Sequence, residues 1–206
     1  MREGLVLVEV ARRLERAAGV WAVFAGAAAS VYGAQRPLTD VDILVPLAAG
    51  TRVASLFPGA VVEREADGRV GSVKLPTGSI SLPTGSISLP AVDIIVGLTM
   101  FEGDETYTVD LDDEMAVRRT WHEIAGVRMP VIPAEDNLLL KAVWGRGAEQ
   151  GKHDWEDVRA MLAHTEVDWA YLRGRAASWG AVPGEPAPSV RRALARLEEL
   201  AKEQEG

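Results

Sequence analysis

The sequence predicts an α+β fold in which a small mixed β-sheet flanked by helices is followed by a C-terminal helical region. Three observations carry this expectation. Short β-rich runs alternate with helical patterns up to residue 132; from Pro133 onward the pattern is helical alone; and the 206 residues suffice for one good core or two small ones. The expected division is a core over residues 1–132 and a helical region over 133–206, packed on that core.

The elements follow in order. Residues 3–18 read as an amphipathic helix: Leu5, Val8, Val10, Ala11 and Leu14 keep its period and Gly19 stops it. Trp21 to Ala25 is a short apolar strand ended by Gly26, and Ala27 to Tyr32 starts a helix. Gly33 to Leu38 is a turn, and Asp40 to Val45 is a strand with alternating faces, closed by Pro46. Thr51 is expected to cap a short helix that stops before Pro58.

Val61-Val62, Val70 to Leu75 and Ala91 to Val96 are strand candidates. Between the last two, Pro76 to Leu82 (PTGSISL) is repeated letter for letter by Pro83 to Leu89. Seven extra residues would exchange the faces of a regular strand, so a loop or bulge absorbs them more readily. Thr106 to Val109 reads as extended. The acidic run Glu102, Asp104, Glu105, Asp110, Asp112, Asp113 and Glu114 reads as a solvated loop. Arg118 to Ile124 and Val127 to Ile132, joined by Ala125-Gly126, read as a hairpin. Pro133 opens a helix with Glu135 and Asp136 in its first turn, and Gly145 and Gly147 end it. Helices are expected near 152–163 and 167–179. After a Pro/Gly-rich linker, the last runs from Ser189 with a stripe of Val190, Leu194, Leu197 and Ala201.

Composition excludes several classes. No apolar run approaches the ~20 residues of a membrane span. Glu9, Arg12 and Arg13 interrupt the run from Leu5, so no signal-peptide architecture is present, and a cytoplasmic protein without a membrane partner is expected. The absence of cysteine removes disulfide, thiol-nucleophile and Cys-zinc chemistry. No two of His122, His153 and His164 sit at a helical metal-ligand spacing. The net charge of −8 argues against broad nonspecific nucleic-acid binding.

The informative stretch is Phe24 to Val45, FAGAAASVYGAQRPLTDVDILV. Asp40 and Asp42 point to one face of a strand, with Cα atoms about 6.5–7 Å apart. Two carboxylates on one face repel each other, and a divalent cation relieves that cost. All-oxygen ligands suit Mg²⁺ or Mn²⁺. Asp93 is the only polar residue of Ala91 to Val96, and a lone carboxylate in an apolar strand calls for a partner or a metal. Three such acids can hold two metals about 3.5–4 Å apart for in-line phosphoryl displacement. Gly26, between strand and helix, lets backbone N–H groups approach an anion. Arg36 could neutralise phosphate charge and Thr39 could donate a hydrogen bond. Each has a plainer reading: Asp40 as a turn cap, Asp93 as a buried acid paired with an Arg, Arg36 as a loop charge.

The order strand, Gly26, spacer, Arg36-x-x-Thr39-Asp40-x-Asp42, later Asp93 resembles the DNA polymerase β-type nucleotidyltransferase superfamily. Ala27 departs from that superfamily's Gly or Ser; where a Ser hydroxyl touches the terminal phosphates, Ala27 lacks that contact, and nucleotide affinity is the quantity this departure bears on. Residues 131–162 resemble the segment after the core in AbiEii-like, abortive-infection and toxin-type nucleotidyltransferases, with Lys141, Arg146, Lys152, Asp154 and Asp157 in matching order. The resemblance implies an enzyme that uses Mg²⁺ or Mn²⁺ and moves a nucleoside monophosphate from an NTP to a tRNA, protein or small-molecule hydroxyl. It implies metal binding by Asp40, Asp42 and Asp93, and nucleotide binding by Gly26, Ala27, Arg36, Thr39 and Lys141, with Asp154 shaping the site. It also implies a possible antitoxin partner. From the residues alone, Lys141 could equally snorkel from a helix edge, and Asp154 and Asp157 could pair with Lys152 and Arg159. The rival expectation is a catalytically weak module of this fold that binds nucleotide or a partner protein.

Overall fold

The computed structural model describes residues 4–17, 19–75 and 91–205. These form eight α-helices and nine strands. The first is α1 (Gly4–Ala17), whose Leu7, Val10 and Leu14 are fully buried along one stripe. Then come β1 (Ala22–Phe24), α2 (Ala25–Val31) and β2 (Asp40–Val45). A 3-10 turn, Leu47–Ala49, runs directly into α3 (Gly50–Leu56). Thr51 is therefore inside the helix and is not its cap. The chain enters α3 already helical, and the Gly50 N–H finds the Leu47 carbonyl, so no side-chain cap is needed.

β3 (Val61–Arg64), β4 (Val70–Leu75) and β5 (Ala91–Val96) follow. The duplicated PTGSISL lies outside the described residues. β6 (Leu98–Glu102) and β7 (Glu105–Val109) form a separate two-stranded sheet, where sequence reading found only the second strand. The acidic run is not a single loop, although Asp104, Asp112, Asp113 and Glu114 are exposed. Glu102 accepts the Ser189 N–H, Asp110 accepts the N–H groups of Leu47 and Leu111, and Asp112 caps a helix that sequence reading missed, α4 (Asp113–Arg118). Arg118 thus ends α4, and the expected hairpin begins later, as β8 (Thr120–Ile124) and β9 (Val127–Val131). The remaining helices are α5 (Ala134–Trp144), α6 (Asp154–His164), α7 (Trp169–Ser178) and α8 (Pro188–Glu205).

The chain divides into two compact units. The first comprises residues 1–27, 38–98 and 110–132; the second comprises residues 28–37, 99–109 and 133–206. Residues 28–37 and 99–109 thus group with the helical stretch that begins at Pro133.

The first unit is built on a seven-stranded sheet of order β3-β4-β5-β2-β1-β9-β8. β2 runs parallel to β5, β1 parallel to β9, and the other neighbours are antiparallel. Register separates the two faces. Val41, Ile43 and Val45 stand opposite Val92, Ile94 and Val96, and all six are buried. Each such side chain contributes about 1.5–3 kcal/mol on burial. α3 packs against this face at Gly50, where an added Cβ would lie 2.8 Å from Val96 Cγ1. The opposite face carries the acids.

The second unit centres on α5, which is buried nearly all round and packs against α6, α7 and α8. α8 presents Val190, Ala193, Leu197 and Leu200 to the interior. Among the described residues, no helix is long and apolar enough to cross a membrane.

Candidate active site

In the first unit the acid-bearing face is fixed by strand register. Asp40 and Asp42 alternate with buried Val41 and Ile43 on β2. Asp42 stands directly opposite Asp93 of β5, and Asp40 opposite Ala91. Opposed residues share a face, so all three acids project from the same side of the sheet. Each is half-buried. Burial pushes the Asp93 carboxyl above its ordinary pKa; Lys74 partly opposes this and Asp40 adds to it. The Thr39 hydroxyl donates to Asp40 Oδ1 at 3.2 Å.

Carboxylates that share one face of a sheet suit a hard cation. Mg²⁺ usually takes one or two protein carboxylates and completes its shell with water and substrate phosphates. Asp42 opposite Asp93, with Asp40 one pleat away, fits that donor set. It is not a closed cage: among the described residues, no three His, Cys, Asp or Glu side chains are gathered to hold a metal by themselves.

At the end of β1 the chain turns sharply into α2. Ala25 adopts φ 55°, a left-handed conformation that costs a residue with a Cβ roughly 1–2 kcal/mol. Gly26 and Ala27 follow it, both buried. Backbone strain held at such a turn is a feature of functional sites.

One feature of this face was missed from sequence. Lys74 of β4 stands opposite Asp93, so the row Asp42, Asp93, Lys74 crosses three adjacent strands. The Lys74 ammonium donates to Glu63 Oε1 at 2.8 Å, and the Ser72 hydroxyl donates to Glu63 Oε2 at 2.9 Å. The signal was the alternation of Ser72 and Lys74 with Val73 and Leu75, but which strand β4 joins is not written in its own residues.

The second unit holds the other expected residues in a cluster of ion pairs. Lys141 is only 3% exposed, because α5 is enclosed nearly all round. It does not snorkel: its Nζ lies 2.9 Å from Asp154 Oδ1 and 2.7 Å from Asp157 Oδ2. Asp154 and Asp157 sit one turn apart on α6 and face inward together. Arg36 binds Asp157 through both carboxylate oxygens, at 3.0 and 3.1 Å. Arg146 binds Asp154 Oδ2 at 2.7 Å and lies over the Trp144 ring. Burial raises the Asp154 pKa, but hydrogen bonds from Arg146 and Lys141 outweigh it and hold the carboxyl below its usual range. Arg36 is therefore more than a loop charge, and the partners of Asp154 and Asp157 are Lys141, Arg146 and Arg36 where sequence reading offered Lys152 and Arg159.

The mixed sheet with helices on its apolar face, followed by packed helices, is the nucleotidyltransferase fold. The chain superposes on a candidate nucleotidyltransferase from Thermotoga maritima with a TM-score of 0.50 at 18% identity, over 70% of this chain and 85% of that one. A lincosamide antibiotic adenylyltransferase solved with lincomycin scores 0.46 at 15% identity, over 80% of this chain and 97% of that one. An antigenic nucleotidyltransferase-like protein from Paracoccidioides brasiliensis scores 0.46 at 19% identity, over 97% and 89%. The last two fall below the level at which a shared fold follows. No protein-family model and no curated protein matches the chain.

Proposed function

We propose that the protein is a Mg²⁺-dependent nucleotidyltransferase that moves a nucleoside monophosphate from an NTP to a hydroxyl acceptor. The observation that carries this reading is Asp42 opposite Asp93, with Asp40 on the same face. In it Asp40, Asp42 and Asp93 would hold a divalent cation together with water and substrate phosphate oxygens, and the cation would supply charge neutralisation at the reacting phosphate. Asp93 takes the proton of the acceptor hydroxyl as its oxygen bonds to the α-phosphorus and pyrophosphate leaves. Gly26, with Ala27 beside it, offers backbone N–H groups to the triphosphate, and Thr39 orients Asp40.

The same reading assigns Arg36 and Lys141 to nucleotide phosphates and Asp154 to shaping the site. Lys141, Arg36 and Arg146 against Asp154 and Asp157 leave one excess positive charge in that cluster, which suits an anionic ligand. Most of the acceleration then comes from positioning and charge neutralisation. The acceptor class is open among tRNA, protein and small molecule, and an antitoxin-like partner belongs to the AbiEii-like form of the reading.

Incubation of the purified protein with Mg²⁺, α-labelled NTPs and a cell extract tests it. Pyrophosphate release with label passing to an acceptor is the expected result. Mg²⁺-dependent NTP binding without pyrophosphate release would instead support a nucleotide-binding module, a reading that Ala27 favours because it brings no hydroxyl to the phosphates.

A further inference from the structure

We infer that Lys74 is a positioning residue that sets the affinity of the Asp42–Asp93 pair for a divalent cation, and that Glu63 and Ser72 hold it away from that pair. The inference rests on the reading that these acids bind a metal, and it concerns residues outside that ligand set.

Adjacent strands lie about 4.8 Å apart, so the opposed Lys74 and Asp93 are close neighbours on one face. A lysine stem is long enough to swing its ammonium toward either flanking strand. On one side stands Asp93 of β5; on the other the opposed residue is Val61 of β3, and Glu63, opposite Ser72, reaches the ammonium diagonally from the same face. An ammonium over Asp93 would compete with a divalent cation for the same oxygens. Glu63 provides the alternative berth, with Oε1 taking the ammonium and Oε2 fixed by the Ser72 hydroxyl. The β3–β4 register shifts between Glu63 and Arg64, so the Glu63–Ser72 pair is the last regular position before the irregularity. Lys74 and Glu63 are 43% and 53% exposed, so neither is needed for the core, and the carboxylate is free to trade partners with solvent. The device works by charge and distance alone: with Lys74 parked on Glu63, the acids meet the cation; with Glu63 neutral, the ammonium turns to Asp93.

A double-mutant cycle on the full chain tests this with Mn²⁺ as the probe, its binding measured by electron paramagnetic resonance and calorimetry, with and without a non-hydrolysable ATP analogue. Glu63→Gln is expected to weaken Mn²⁺ binding by about three- to tenfold, and Lys74→Met to tighten it by a similar factor, the scale of one partly exposed ion pair. The double variant should bind like Lys74→Met, because Glu63 acts only through the ammonium. Lys74→Arg should keep the wild-type response to Glu63→Gln. If Glu63→Gln weakens binding equally with and without Lys74, or if Lys74→Met changes nothing, the inference is overturned while metal binding by the acids stands. If the wild type binds no Mn²⁺, or binds it unaltered by Asp42→Asn and Asp93→Asn, the metal reading itself falls and takes the inference with it. Circular dichroism and melting curves on each variant separate these effects from misfolding.

Discussion

Asp42 and Asp93 face one another across two adjacent parallel strands, some fifty residues apart in the chain and in one row of the sheet. Their carboxylates share the face that the apolar residues of the same strands leave, so the repulsion between them is built in by register. Burial is the main cause that raises the Asp93 carboxyl; Lys74 opposes it, and the charges of Asp40 and Glu63 add to it.

Neutralising this acid should separate activity from stability. Asp93→Asn is expected to lower pyrophosphate release by on the order of 10²–10⁴-fold, the scale of a lost general base. Without metal, the variant should be no less stable than the wild type. The sign follows from linkage: a carboxyl whose folded pKa lies above its unfolded value loses stability as pH rises through that interval, and Asn removes the loss. Urea unfolding at pH 4 and pH 7, with metal chelated, checks this. A variant much less stable than the wild type at pH 7 would contradict it.

The opposite sign is expected at Asp154. Its folded carboxyl is held below its usual range by Arg146 and Lys141. The stability this pairing gives is present above the unfolded value of about 3.9 and is lost as pH falls through the folded one. Asp154→Asn should flatten that acid limb. Lys141→Met should cost about 3–5 kcal/mol, since it leaves two buried carboxylates without their shared ammonium. Urea midpoints between pH 3 and 7 measure both effects.

A second buried pair ties α5 to α7. Asp136 accepts from Arg175 Nε at 2.7 Å and from the Tyr171 hydroxyl at 2.6 Å, and no part of Asp136 is exposed. Arg175→Met should destabilise by about 3–5 kcal/mol and Tyr171→Phe by about 1–3 kcal/mol. The double change Asp136→Leu with Arg175→Met should recover part of the loss, because no unpaired charge remains. Chemical denaturation of the three variants tests this, and a double variant less stable than Arg175→Met alone would count against it.

Gly33 makes a local prediction. Its φ is +115°, and an added Cβ would lie 2.7 Å from His164 Cβ on α6. Gly33→Ala should cost at least about 2 kcal/mol, from backbone strain and overpacking together. A melting temperature unchanged from the wild type would show that the α2 exit turn relaxes freely.

Much of the local structure was legible from the residues. The strands at 40–45, 70–75 and 91–96 and the hairpin turn at Ala125-Gly126 follow from alternation and turn chemistry, and the glycine that ends α5 takes the left-handed conformation expected of it. β6 and α4 were hidden because Leu98–Glu102 lacks clean alternation and because Asp112 reads as one more acid in a charged run until its side chain is seen to cap Met115. Lys141 was ambiguous for a similar reason: its neighbours show a buried helix, but its partners are on another helix.

The sequence by itself determined where most of the strands and helices lie, β6 and α4 excepted, and which side chains share a strand face, because periods of 2 and 3.6 are properties of the local chain. The tertiary structure alone decided which strand lies beside which, and so whether Asp93 meets Asp42, whether Lys74 meets Asp93, and whether Lys141 meets Asp154. Pairing between distant segments depends on burying whole faces together, and no short stretch of residues carries that information.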